Sequence, residues 1–100
     1  MLQMEGFTLL SLFMISGYKV YFLANENNEP IYVHVEKGKP TSNGTKIWLT
    51  KTGGCILASN GSDISRKELN ELMEFISAQF FLICAEWKKF FLTDDIKFYC

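Results

Sequence analysis

The chain has 100 residues, 48% of them hydrophobic and 15% aromatic, and ten basic against eleven acidic side chains give a net charge of −1. That length makes one domain, residues 1–100, which on folding buries roughly two-thirds of its unfolded surface around one core. The composition excludes a disordered chain, and the charge balance argues against a domain that grips nucleic acid over its whole surface, because phosphate contacts need an excess of Lys and Arg.

The elements follow in chain order. Residues 7–15 are apolar and rich in strand formers, Ser16 and Gly17 read as a tight turn, and residues 18–23 alternate as a second strand. The uncharged run 6–18 is too short for a bilayer, which needs about 20 apolar residues, and it lacks the basic start and cleavage site of a signal peptide. "NENNEP", residues 25–30, is a turn by composition, with Glu26 and Glu29 as part of its polarity. Strands are then expected at 31–37, at 46–50 ("KIWLT") and at 55–59 ("CILAS"), the last two separated by a Thr52, Gly53, Gly54 turn. Connections this short favour an antiparallel meander.

The last third is helical. Ser65 and Glu68 have capping-box spacing, with Ile64 and Leu69 at the staple positions. From Leu69 through Leu72, Met73, Ile76, Phe80, Ile83, Trp87 and Phe91 the apolar residues recur at helical spacing, a stripe that should cover one face of the sheet. A single helix over 65–91 would be about 40 Å long, so a break is expected near Ala78 and Gln79. Residues 92–100 read as a tail with a short extra strand at 96–99. The fold class is therefore α+β: a meander sheet of four or five strands with a C-terminal helical segment, one kinked helix or two, packed on one face.

The row Tyr32, His34, Glu36 in "PIYVHVEKG" is the candidate site. Side chains spaced by two share one face of a strand. Pairing with "KIWLT", Ile47 and Leu49 inward, brings Trp48 and Lys46 to that face. We expect this outer, solvated face to contact a partner through Tyr32, His34, Glu36 and Trp48. A histidine beside a carboxylate also has acid/base chemistry near neutral pH. The alternative function is therefore a metal-independent, RNA-directed acid/base enzyme using His34, with Glu36 beside it and Lys37 or Lys46 near phosphate. The lack of a nucleophile or oxyanion-hole motif weighs against it.

Phe75 and Leu82 fall about 130° from the main stripe on one continuous helix, and are expected at a self-association interface. Cys55, Cys84 and Cys100 are odd in number and lack metal spacing, which fits a reduced, cytoplasmic protein. One histidine and a carboxylate fall short of a zinc ligand set, so neither metal nor cofactor is expected.

The order "GYKVYFLANENNEP", "IYVHVEKG", "KIWLT", "ISRKELNELMEFI…AEWKKFF", spanning residues 17–91, resembles the small bacterial proteins grouped as domain of unknown function 4160. The resemblance implies a compact α+β domain and a protein partner encoded by a neighbouring gene, in a toxin–antitoxin-like arrangement; it implies no established activity. The family strand carries two histidines. Here Tyr32 stands at the first and His34 at the second, which puts any shared metal or proton in doubt. The expected function is a non-enzymatic cytosolic interaction module with a protein partner, with homo-oligomerisation as a second mode of association and no membrane contact.

Overall fold

A computed structural model describes residues 9–24, 28–38 and 44–100. Phe7 and Thr8 of the expected first strand and Glu26 of the polar turn lie outside these residues. Five strands, β1 (Leu9–Ile15), β2 (Tyr18–Leu23), β3 (Tyr32–Glu36), β4 (Thr45–Leu49) and β5 (Cys55–Asn60), precede two helices, α1 (Arg66–Ala78) and α2 (Phe80–Phe90). The strands form one antiparallel sheet in the order β1-β2-β3-β4-β5, the expected meander in its five-strand form.

Local chemistry explains each boundary that matters. Ser16 and Gly17 both hold positive φ, 53° and 82°, as the two-residue turn matching the strand twist requires. Ser65 caps α1 by accepting from the Glu68 amide at 3.2 Å. The Glu68 carboxylate in turn accepts from the Tyr18 hydroxyl at 2.8 Å, fastening the first turn of α1 to β2. That bond, with desolvation added, pushes the Tyr18 phenol up from its ordinary value. The helical segment breaks at Gln79, which leaves helical geometry with φ −102° and ψ 18°, so two helices replace one.

The core lies between one sheet face and the helices. Val20 and Phe22 of β2, Val33 and Val35 of β3, and Ile47 and Leu49 of β4 alternate onto that face, where Leu72, Ile76, Ile83 and Trp87 cover them. Trp87 meets Phe22 edge-on at 5.1 Å and Phe91 at 4.3 Å. The extra strand expected at 96–99 does not form. Ile31 N donates to Lys97 O and Lys51 N to Cys100 O, 2.9 and 3.0 Å, so the tail is fastened across the strand ends by scattered bonds instead of a ladder.

Candidate functional site

The expected row does share one face, and its neighbours are those the alternation predicts. Tyr32 pairs with Trp48 and His34 with Lys46 across β3–β4, while Tyr21 of β2 pairs with His34 from the other side. All lie on the sheet face opposite the helices. Their rings form a continuous ladder. Tyr21 stacks on His34 at 5.1 Å and 17°, His34 meets Tyr32 at 5.2 Å, Tyr32 meets Trp48 at 5.0 Å, and Trp48 stacks on Tyr99 of the tail at 4.9 Å and 5°. The Lys46 ammonium sits 5.4 Å from the Tyr32 ring centroid, within reach of a cation–π attraction.

The expectation that this face is solvated is corrected. His34 is 1% exposed and Tyr32 3%; Trp48 is half-buried. Each ring packs against the next, and Tyr21, His34 and Tyr32 are buried, so the row is a second packed layer. Its signal was present in β2, where Lys19, Tyr21 and Leu23 alternate on the same side and two of the three are large and apolar. An acid or base must reach a substrate proton within hydrogen-bond distance, directly or through one water, and the His34 ring is enclosed by its neighbours. The two lysines assigned near phosphate lie over rings, Lys46 on Tyr32 and Lys37 4.8 Å from Tyr18.

Glu36 has a different task. Its Oε2 accepts from Ser62 Oγ at 3.0 Å, and its carboxylate lies so close to Gly44 that any Cβ there would overlap it. Around it, Thr45 Oγ1 donates to Asn60 Oδ1 at 2.7 Å; the same oxygen accepts from Ile64 N, and Asn60 Nδ2 donates to Ile64 O, both at 3.0 Å. This network fixes the turn from β5 into α1. Sequence reasoning missed Ser62, Asn60 and Gly44, because their spacing carries no periodic signal.

The break at Gln79 separates the two residues expected at an interface. Phe75 packs edge-on against Phe13 of β1, centroids 5.1 Å apart at 89°, so its ring is used within the chain. Leu82 is 47% exposed, beside Phe81 at 84%. At the far end of α2, Leu92 N donates to Lys89 O at 3.4 Å and Thr93 N to Lys88 O at 3.0 Å, the paired bonds of a Schellman cap. That cap usually holds glycine at its left-handed position. Here it holds Leu92, at φ 52° and 91% exposed, a conformation costing a non-glycine residue about 1 kcal/mol. Phe81, Leu82 and Leu92 thus stand as an apolar display on the outside of α2.

Among the described residues no cluster of three or more His, Cys, Asp or Glu side chains could hold a metal ion, and no helix is long and apolar enough to cross a membrane. Burial pushes the Cys55 and Cys84 thiols up. Cys55 contacts Met73 O at 3.3 Å and Ser77 Oγ at 3.4 Å, a packing role. Glu29 lines a polar cavity of about 280 Å³ with Asp95 and Lys97, charges of both signs, above Trp87.

A five-strand antiparallel meander with two helices on one face and an aromatic layer on the other defines a small α+β domain. The family described as Domain of unknown function (DUF4160) matches residues 17–88. The chain belongs to that family, which is the one its strand order and motifs resemble. Comparison with curated proteins and with solved structures finds no match.

Proposed function

We propose that the chain is a non-enzymatic, cytosolic bacterial interaction module whose partner is the protein encoded beside it, in a toxin–antitoxin-like pair. The observation that carries this reading is the contrast in exposure between His34, at 1%, and the apolar residues Phe81, Leu82 and Leu92 on α2. A buried imidazole serves packing. Exposed aromatic and aliphatic side chains, one of them in a strained cap, fit a surface that a protein partner covers. The partner contact accordingly shifts from the His34 row to α2, with Trp48 and Tyr99 at the margin of the aromatic layer as the part of the original surface still within reach.

Co-expression with the neighbouring gene product, followed by mass measurement of the purified material, tests this. A stable complex that Phe81→Asp or Leu92→Asp weakens at least tenfold is the expected result. Failure of the two proteins to associate, or RNA cleavage by the purified chain that His34→Ala abolishes without unfolding it, would overturn the proposal in favour of the acid/base enzyme.

A further inference from the structure

Glu29 ahead of β3, Trp87 and Phe91 at the end of α2, and Asp95 and Lys97 of the tail line one cavity of about 280 Å³. That volume is close to the lower end of the roughly 300–1,000 Å³ typical of small-molecule sites. Trp87, at the base of the cavity, is only 2% exposed, and its indole N–H makes no hydrogen bond among the described residues. A polar group this deeply placed ordinarily has a partner. The N–H is not sealed from solvent. It therefore belongs to the small part of Trp87 left open, and the cavity is where Trp87 opens. Around it stand two carboxylates and one ammonium. Glu29, Asp95 and Lys97 are all exposed at the rim, and among the described residues none of them spends its charge in an ion pair. The main chain fixes where two of them stand: Asp95 N donates to Thr93 Oγ1 at 3.1 Å, and Lys97 O accepts from Ile31 N, at the entry to β3, at 2.9 Å.

We infer that this cavity binds a small free amino acid with a cationic side chain, of the lysine or arginine type. The lining carries two negative charges and one positive, and such a molecule carries the reverse. Its carboxylate suits the Trp87 N–H and the Lys97 ammonium, which are both donors. Its α-ammonium and side-chain cation suit the Glu29 and Asp95 carboxylates, which are both acceptors. The aliphatic stem joining the two ends suits the half-buried Phe91 ring on the cavity wall. Other small molecules match the lining less well. A neutral amino acid leaves one carboxylate of the cavity unmatched, and a diamine leaves the Trp87 N–H and Lys97 without an acceptor. A simple anion would meet two carboxylates. The inference stands apart from the proposed partner complex, because Phe81, Leu82 and Leu92 do not line this cavity.

The test is calorimetric titration of the purified full chain with L-lysine and L-arginine. Norleucine, which lacks the side-chain cation, and cadaverine, which lacks the carboxylate, serve as comparison ligands. At least one of the two basic amino acids should bind, at least tenfold more tightly than either comparison ligand. Lys97→Met and Asp95→Asn, both at exposed positions, should each weaken binding at least tenfold with the circular-dichroism signature unchanged. Should Asp95→Asn loosen the tail, Glu29→Gln, outside it, takes its place with the same expected direction. The chain has two tryptophans, so their indole N–H resonances separate the cavity from the aromatic row. The Trp87 resonance should move as ligand is added and the Trp48 resonance should stay. No binding of either amino acid at millimolar concentration, equal binding of norleucine or cadaverine, or binding that ignores the Lys97 and carboxylate variants would overturn the inference.

Discussion

The two sides of the sheet bury their side chains by different means. On one side, helices α1 and α2 lay an aliphatic and aromatic stripe over Val20, Phe22, Val33, Val35, Ile47 and Leu49. On the other, Tyr21, His34, Tyr32 and Trp48 pack ring against ring, and Tyr99 of the tail ends the row. The first is covered by a layer of secondary structure, and the second is joined by contacts between aromatic rings of neighbouring strands. Polar residue types in the second layer thus mark the limits of packing. The lesson is that period-two alternation identifies which residues share a face and leaves open whether water reaches it.

That comparison is most sharply broken by emptying each layer in turn. Trp87→Ala removes the ring seated on Phe22 and Phe91 and should cost about 3–5 kcal/mol, read as a large fall in the denaturant midpoint. His34→Ala should cost about 2 kcal/mol, from lost ring contacts in the second layer; a change near zero would mean that face is solvated after all. Gly44→Ala pushes the Glu36 carboxylate aside and away from Ser62 and should cost about 1 kcal/mol, the worth of that hydrogen bond. Most of that penalty should vanish in a Glu36→Ala background, a coupling that a double-mutant cycle reads directly. Leu92→Gly relieves the strained cap and should raise stability by about 1 kcal/mol, while weakening the proposed partner complex; equal stability would show that the left-handed position costs leucine little here. The smallest effect is kinetic. At mildly alkaline pH exposed Cys100 should react with a thiol reagent before Cys55 and Cys84, whose raised pKa values leave less thiolate.

Much of the architecture was legible, because it rests on short-range signals. The Ser16, Gly17 turn, the Ser65 cap and the strand order follow from residues within a few positions of one another, and the break at Gln79 from the length an unbroken helix would have. The candidate row was legible as a register: Tyr32 beside Trp48 and His34 beside Lys46 follow from alternation and adjacency. Its ring packing was hidden, since the row continues to Tyr21 and Tyr99, which lie 11 and 67 residues from Tyr32 along the chain. The surroundings of Glu36 were hidden for the same reason, Ser62 and Gly44 lying across a turn from it. Phe75 and Leu82 were placed together by a helical count that the break at Gln79 interrupts.

The central claim is that the His34 row is a packed layer, and His34 is the chain's only histidine. Acylation by diethylpyrocarbonate, followed by the ultraviolet absorbance of the carbethoxyimidazole, therefore reports on that one ring. In the folded protein the reaction should run at least about tenfold slower than with a free histidine derivative, because it waits on local opening, and should recover the free rate in denaturant. A native rate equal to that of the free derivative would contradict the account and return His34 to the surface as a site.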